Sequence, residues 1–416
     1  MRIPAASTAL LIFVSSNLAN LGNLGFNMLF GRWMTPIDFA LLATCLTVLL
    51  GGMGLLEAVR MAASRQMAAS APDQRAAQEA ALARLSRRAL LPGLVLSALG
   101  GALWLAVAGL QAMPWVLLLL ALPAALPLSI LRGLALGRMQ AVPVVVSAQA
   151  EMLIRLLGAI LAWQAGLGMA GVVLALALSI GAAWLVLDRS LPQPATADKA
   201  VDLPIGGLLI AALPFAGLQA AQLGSLDADV LLAWLVLPAD QTGLVAALCL
   251  FQRVQFYACF GLASVLLPAV ALARAQGTPL GPAIRPVVLL GGAVAGTCLL
   301  AATAMPGQLL NALVGPQYHD AAPGLVTASL TAALFTYGYL GATLMLAQGD
   351  RRGLIVLAAG AALQALTLVA LPDLTLQGFL LVKLTAQATT ASILTMLLVS
   401  CNRSRGFLPD AARITP

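Results

Sequence analysis

Twelve apolar stretches of about 20 residues recur along the chain, and they limit its folds more than any other feature. A helix of that length crosses a hydrocarbon core of about 30 Å. The composition agrees, because 61% of the 416 residues are hydrophobic and only 9% are charged. We therefore predict an all-α integral membrane protein. Its spans are 8–31, 39–59, 90–110, 113–131, 142–163, 168–187, 207–234, 241–267, 286–305, 324–347, 353–371 and 378–400.

The Lys and Arg residues are distributed unevenly between the two sides that alternating spans define. Eighteen fall on one side, whereas Arg32 alone falls on the other. Basic residues near helix ends resist translocation, so the rich side is predicted to be cytoplasmic, with both termini there. We expect the chain in a bacterial inner membrane. This placement accounts for the net charge of +7 and argues against a nucleic-acid partner.

An internal repeat relates the two parts of the chain. Residues 20–46 align without a gap on residues 222–248, and eight of the 27 positions are identical. The most informative identities are Gly22/Gly224, Pro36/Pro238 and Asp38/Asp240. The alignment places span 1 on span 7 in the same orientation. It predicts two six-helix bundles related by a pseudo-two-fold axis along the membrane normal.

The repeat and a polar, Pro-containing stretch before span 7 divide the chain into domains. We predict an N-terminal half at 1–190, a cytoplasmic linker at 191–206, a C-terminal half at 207–402 and a cytoplasmic tail at 403–416. A second long cytoplasmic segment, 57–88, is rich in alanine and contains six arginines. We interpret it as a surface helix that contacts anionic headgroups.

Patterns for covalent catalysis, nucleotide hydrolysis or metal binding are missing from the sequence. It contains no Walker loop, HExxH or GxSxG pattern, and its single histidine, His319, falls in a predicted outer loop. The five cysteines include no CxxC pair and are interpreted as small buried hydrophobes. The sequence thus predicts neither an enzyme nor a cofactor.

Span 1 carries a row of side-chain amides. Asn17, Asn20, Asn23 and Asn27 are three and four residues apart, which puts them on one helix face. Such a face either hydrogen-bonds to neighbouring helices or lines a water-filled cavity, and the spacing alone favours neither.

Six ionisable residues fall within or close to the spans, and each would cost about 3 kcal/mol if it faced lipid at mid-bilayer. They must therefore face one another or water. Glu151 and Arg155 are four residues apart, which predicts an ion pair on one helix face. Asp227 and Asp229 point about 200° apart on a helix, so we expect them to have separate partners.

The cationic members lie between mid-membrane and the outer surface when depth is counted from the helix ends. Arginine binds phosphate through its bidentate fork, and lysine adds a point charge. The predicted binding set is Arg155, Arg253, Lys383, Asn20, Asn23 and Asn27, and the predicted charge-balancing or ion-coupling set is Glu151, Asp227 and Asp229. The alternative is that these charges only clamp helices together.

Four short motifs resemble a known family. They are the run from Asn20 through Phe30-Gly31-Arg32 to Pro36-Ile37-Asp38-Phe39; Asp229 through Leu237-Pro238 and Thr242-Gly243-Leu244 to Arg253 and Leu267-Pro268; Gly315-Pro316-Gln317-Tyr318 with Ala321; and Leu346-Ala347-Gln348-Gly349. The chain resembles the polysaccharide transporter (O-antigen and oligosaccharide flippase) family of the multidrug/oligosaccharidyl-lipid/polysaccharide (MOP) superfamily. It departs from that family at Ala40 and Val245, where glycine and tyrosine are common, and many relatives have fourteen spans.

The resemblance implies a function in lipopolysaccharide O-antigen or exopolysaccharide synthesis. Such proteins move lipid-linked sugar units from the cytoplasmic to the outer leaflet by alternating access, with the pyrophosphate–sugar head in a central cationic cavity. The implied partners are a lipid-linked oligosaccharide of the polyprenyl-pyrophosphate type, membrane lipids, and the polysaccharide polymerase and export machinery.

A related group offers a second hypothesis, a cation-coupled multidrug exporter of the multidrug and toxic-compound extrusion (MATE) type. In that group a carboxylate on helix 1 often carries the coupling protons, whereas span 1 of this chain has asparagines and no acid. A membrane scaffold or an integral glycosyltransferase is a weaker third hypothesis, because a transferase would need a conspicuous catalytic loop and the outer loops are short.

The one-sided basic residues yield a topology prediction. Reporter fusions at Ala80, Lys199 and Arg405 should report the cytoplasm, and fusions at Pro238 and His319 should report the outside. An outside signal at Lys199 would contradict the two-half architecture, because an even number of spans must precede that residue.

Overall fold

A computed structural model describes residues 5–69, 74–191, 205–275 and 281–405. These residues form fifteen α-helices and contain no strand. The helices are α1 Ala5–Trp33, α2 Pro36–Ala69, α3 Arg75–Ala108, α4 Met113–Leu119, α5 Leu122–Gly137, α6 Ala141–Gln164, α7 Gly168–Ser190, α8 Ile205–Gln222, α9 Asp229–Val236, α10 Ala239–Ala275, α11 Gly281–Ala304, α12 Pro306–Leu313, α13 Leu325–Ala347, α14 Arg352–Ala370 and α15 Leu376–Arg405.

Each predicted span corresponds to a helix or to a pair of consecutive helices. Spans 4 and 7 are the pairs α4–α5 and α8–α9, and α12 is a short helix between spans 9 and 10. Within the described ranges, ten helical segments are long and apolar enough to cross a membrane, and they cover every span except the first and seventh. Helix α1 and the pair α8–α9 occupy those two positions. The predicted all-α membrane fold is confirmed.

Span 4 is broken because of a proline. Pro123 lies in the first turn of α5, where its missing N–H leaves no intrahelical bond unmade. At the break, the N–H groups of Leu120 and Ala121 donate to carbonyls three residues back, at 3.2 and 3.1 Å. The local tightening ends α4 and lets α5 begin in a new direction.

Span 7 is broken by a π-helical turn, Leu223–Asp227, between α8 and α9. The N–H of Ala228 donates to the carbonyl of Leu223 at 2.7 Å, five residues back, in place of the usual four. Its predicted repeat counterpart, α1, is one continuous helix. The two repeats therefore differ at the position where span 7 carries its aspartates.

The predicted surface helix at 57–88 is wrong. Helix α2 continues to Ala69 and α3 begins at Arg75, so two spanning helices extend beyond their apolar segments. Ion pairs stabilise the extensions: Arg60 pairs with Glu57 along α2, and Arg138 at the end of α5 pairs with Glu79 on α3. Because alanine has a high helix propensity, the Ala-rich segment extends α2 and α3 and does not form a separate surface helix.

Contacts between Cα atoms divide the chain into two compact units. The first contains Met1–Phe26 and Leu41–Gln219, and the second contains Asn27–Ala40 and Ala220–Pro416. Most of the predicted linker 191–206 and of the tail 403–416 lies outside the described residues. The domain boundaries derived from the repeat stay a prediction.

In the first unit, small residues bring α5 against α2. A Cβ on Gly133 would lie 2.5 Å from the carbonyl oxygen of Arg60, and one on Gly137 would lie 2.5 Å from the Cβ of Met67. Membrane helices approach closely where the side chains are small. The contact fixes the end of α5 that carries Arg132.

In the second unit, two of the motifs that carry the family resemblance meet. Gln317 donates from Nε2 to the carbonyl of Gly31 at 2.6 Å, and Arg32 donates from Nη2 to the carbonyl of Ala312 at 2.6 Å. That carbonyl belongs to the last turn of α12, where a cation is favourable. A Cβ on Gly31 would lie 3.0 Å from the Val314 side chain.

The same cluster extends to the start of α2. The ring of Tyr318 packs edge-on against Phe39, with 5.7 Å between the centroids. On α10, a Cβ on Gly243 would lie 2.6 Å from the carbonyl oxygen of Pro36. These motif residues therefore pack the segment Asn27–Ala40 into the second unit, and their role there is structural.

Candidate functional sites: a buried charge cluster in each unit

The first-unit cluster is centred on Glu151 of α6. Its Oε1 accepts a bond from Nη2 of Arg155 at 2.5 Å, and its Oε2 accepts one from Nη2 of Arg132 at 2.9 Å. The three side chains are only 14%, 4% and 13% exposed, respectively. The predicted Glu151–Arg155 pair is confirmed, and Arg132 of α5 is an additional member.

Neighbouring helices hold both guanidiniums in place. Arg155 donates from Nη1 to Oδ1 of Asn23 on α1 at 2.8 Å. Arg132 also donates to Oγ of Ser147 at 3.2 Å, and that hydroxyl donates to the carbonyl of Ala183 on α7 at 3.0 Å. Four helices thus position the cluster. It contains two guanidiniums and one carboxylate, which leaves one positive charge.

The four asparagines in the row on α1 lie in different environments. Asn23 belongs to the Glu151 cluster, whereas Asn27 is buried and lies in the second unit. Asn17 and Asn20 are exposed. The hydrogen-bonding interpretation holds for Asn23. A cavity-lining role for Asn20 and Asn27 stays a prediction.

The second-unit cluster contains a fully buried ion pair, Lys383 of α15 with Asp229 of α9. Their side chains are 1% and 0% exposed. Lys383 also donates to Oε1 of Gln252 at 2.9 Å. Asp229 accepts further bonds from Nε2 of Gln364 at 3.4 Å and from Sγ of Cys249 at 3.6 Å. The pair is thus enclosed by polar groups from α10 and α14.

A chain of buried glutamines continues from this pair. Gln387 donates to Oε1 of Gln364 at 2.7 Å, and Gln364 donates to the carbonyl of Ser225 at 3.4 Å. Gln252 donates to the carbonyl of Ala328 on α13 at 3.2 Å. A satisfied polar network of this kind fixes the relative positions of the helices that contribute to it.

The second aspartate of span 7 has its own partner, as the spacing predicted. Nε of Arg253 on α10 lies 2.9 Å from Oδ1 of Asp227, and Nη2 of Arg253 donates to the Asp227 carbonyl at 3.1 Å. Gln222 donates to Oδ2 of Asp227 at 3.4 Å and to the Tyr257 hydroxyl at 3.3 Å. This pair is less buried, at 12% and 13% exposure.

The π turn offers backbone carbonyls to two side chains of the second-unit cluster. A change from four-residue to five-residue bonding leaves backbone carbonyls open to side chains. In the turn Leu223–Asp227, the carbonyl of Ser225 accepts from Gln364 and that of Asp227 accepts from Arg253. The break in span 7 is therefore tied to the buried charges.

Sequence reasoning missed several of these residues. Arg132 is one of the eighteen basic residues on the predicted cytoplasmic side, but α5 continues to Gly137, so Arg132 lies more than one turn inside the helix. Gln252, Gln364 and Gln387 are uncharged, so the set of ionisable residues within the spans does not include them. Their position in the sequence could have identified them, because a side-chain amide inside an apolar span needs a hydrogen-bond partner.

The clusters offer ionic and amide groups but little metal-binding chemistry. The described part of the chain contains no group of three or more His, Cys, Asp or Glu side chains that could hold a metal ion. Cys45, Cys249 and Cys259 are free and buried, as predicted for small hydrophobes. Both clusters pair charges, and the two guanidiniums of the first-unit cluster are side chains of the type that binds oxyanions.

The fold is shared with solved transporters of the MOP superfamily. An inward-facing multidrug resistance MATE family transporter of that superfamily matches with a TM-score of 0.68 at 15% identity, over 93% of this chain and 96% of that chain. The lipid II flippase MurJ in an inward closed conformation matches with a TM-score of 0.71 at 9% identity, over 94% and 87%.

A third solved structure is a MOP superfamily transporter from Pyrococcus furiosus, with a TM-score of 0.60 at 14% identity over 95% of both chains. No protein-family model matches the chain, and no curated protein sequence does. The apolar helices and the shared fold show a multi-pass membrane protein that is similar in fold to these solved transporters.

The buried Lys383–Asp229 pair yields a stability prediction. Asp229→Asn leaves the lysine charge uncompensated and should destabilise the protein by about 3–5 kcal/mol. The double variant Asp229→Asn/Lys383→Met removes both charges and should recover most of that loss. Thermal unfolding in detergent measures the effect, with Asp320→Asn at an exposed position as the matched control. If the double variant is no more stable than the single one, the buried pair is not the cause.

Proposed function

We propose that this protein is a membrane transporter that moves lipid-linked oligosaccharide or polysaccharide precursors from the inner to the outer leaflet by alternating access. The observation that carries the proposal is the excess positive charge of the first-unit cluster, where Arg132 and Arg155 share the single carboxylate of Glu151. A buried cation that lacks a full counter-charge favours an anionic ligand. The lipid carriers of sugar units supply that anion as a pyrophosphate.

The geometry of the cluster suits a phosphate group. A guanidinium can donate two parallel bonds to phosphate oxygens, and two guanidiniums on adjacent helices offer more than one such fork. Asn23 holds one Nη of Arg155 and Glu151 holds the other, so the side chain is kept in one orientation without a bound ligand. We propose that a phosphate competes with Glu151 for these donors.

The second-unit cluster has a different role in this mechanism. Its two aspartates balance Arg253 and Lys383, so it carries no excess charge. Arg253 is the stronger candidate for assisting the substrate, because its side chain is 12% exposed, whereas that of Lys383 is 1% exposed. Lys383 is enclosed by Asp229 and Gln252, which favours a clamping role for this pair.

The cellular setting follows from the same proposal. The one-sided arginines support an inner-membrane location with both termini in the cytoplasm. The sugar-loaded carrier would then enter from the cytoplasmic leaflet and leave for a polysaccharide polymerase or export machinery on the other side. This order of events also fits the name of one structural neighbour, a lipid II flippase.

The alternative is a cation-coupled multidrug exporter, which the likeness to MATE family structures supports. A cationic drug would meet repulsion at the first-unit cluster, where guanidiniums outnumber carboxylates. Helix α1, Ala5–Trp33, also contains no carboxylate, and its one charged residue is Arg32. The first observation favours an anionic substrate, and the second leaves α1 without the carboxylate that often carries coupling protons in the MATE group.

A flipping assay tests the proposal. Proteoliposomes would carry a fluorescent polyprenyl-pyrophosphate sugar, and an impermeant quencher would count the labelled heads in the outer leaflet. Arg155→Lys keeps the charge but loses the fork, so flipping should slow by about tenfold or more. Arg351→Lys, at an exposed position, should flip at the wild-type rate.

Two further readouts, the unfolding temperature and the export of a cationic dye, separate the hypotheses. Unfolding temperatures of both variants show whether Arg155→Lys protein is folded. A folded Arg155→Lys protein with wild-type flipping would contradict the substrate role of the cluster. Export of a cationic dye together with no movement of the labelled lipid would favour the multidrug alternative.

A further inference from the structure

A cavity of about 570 Å³ lies in the first unit, apart from the Glu151 cluster. Residues of α2, α3 and α8 form its walls, and no member of the Glu151 cluster lines it. Its α2 and α3 walls belong to the helix extensions beyond the apolar spans, which carry the arginines of the predicted cytoplasmic side. Its α8 wall is the first two turns of span 7. The predicted topology therefore places the cavity at the depth of the lipid headgroups.

One cation lines this cavity, the guanidinium of Arg65. Its Cζ lies 5.2 Å from the ring centroid of Phe215 on α8. A cation–π contact of this kind uses no N–H acceptor, so the N–H groups of the guanidinium remain available to oxygen acceptors. The amide side chain of Gln66 lines the cavity beside it.

The charge of Arg65 is not matched by the protein around it. None of the eight residues that line the cavity is acidic. Across the described ranges, Arg65 has a ring contact but no carboxylate within ion-pair distance. Other arginines of the same extensions do have carboxylate partners, such as Arg60 with Glu57 on α2.

We propose that this cavity binds the phosphodiester headgroup of an anionic phospholipid from the surrounding leaflet. The single negative charge of a phosphodiester matches the single unpaired guanidinium. The apolar remainder of the wall, including Leu82, Leu85 and Leu208, would contact the glycerol and the first carbons of the acyl chains. This binding does not depend on the proposed transport function.

The bound lipid would join helices that are far apart in the sequence. Arg65 lies on α2 and Phe215 on α8, and Leu82 and Leu85 lie on α3. A ligand that binds only the folded arrangement stabilises it by mass action. The first unit should therefore be more stable in the presence of the anionic lipid.

The test measures thermal unfolding of the full chain in detergent while phosphatidylglycerol is titrated in. Phosphatidylcholine and inorganic phosphate serve as comparison ligands. Phosphatidylglycerol should raise the unfolding temperature of the wild type in a saturable way, whereas the other two should not. Arg65→Ala should weaken the affinity for phosphatidylglycerol, read from the midpoint of the titration, by about tenfold. Arg285→Ala removes an equal charge from an exposed position on α11 in the second unit and should leave the response unchanged.

Each alternative outcome has a distinct meaning. An equal response of Arg65→Ala and wild type would overturn the site. A similar response to phosphatidylcholine would mean that the headgroup charge is not recognised, which also overturns it. If inorganic phosphate alone reproduces the stabilisation, the cavity binds a free anion and not a lipid. The unfolding temperature of Arg65→Ala without lipid confirms that the variant folds.

Discussion

A charge inside a bilayer needs an opposite charge or several hydrogen bonds, because lipid tails offer neither. Both units of this protein are organised by that constraint. Glu151 draws arginines from α5 and α6 to one point, and Asp229 draws together α9, α10, α14 and α15 through Lys383 and three glutamines. Even the interruption of span 7 fits it, since the π turn supplies backbone carbonyls to Gln364 and Arg253.

The two clusters differ in charge, and this difference underlies the separate roles that we propose for them. In the second unit each cation has its own aspartate, so the cluster is neutral and its most buried pair is fully enclosed. In the first unit two guanidiniums compete for one carboxylate. A neutral, satisfied network holds helices together, whereas a cluster with excess charge can gain energy by binding an anion. This asymmetry is the physical basis for assigning the substrate anion to Arg132 and Arg155.

Much of the fold could be predicted from the sequence, because apolar length and one-sided basic residues reflect the bilayer directly. The Glu151–Arg155 pair and the separate partners of Asp227 and Asp229 followed from helical spacing alone. Spacing within one helix says nothing about its neighbours. For that reason the pairing of Arg132 with Glu151, the partition of the α1 asparagines and the π turn could not be foreseen. They depend on which helices pack together, and that is a tertiary property.

The central claim is that the first-unit cluster is an anion site, and Glu151 offers the most direct measurement. Glu151→Gln removes the carboxylate with which the anion competes and leaves both guanidiniums in place. The affinity of the detergent-solubilised protein for a polyprenyl pyrophosphate, measured by calorimetric titration, should then increase by about tenfold. If the cluster only clamps helices, the same change leaves affinity unaltered or lowers it along with stability. A folded Glu151→Gln protein that binds no more tightly than the wild type would contradict the account.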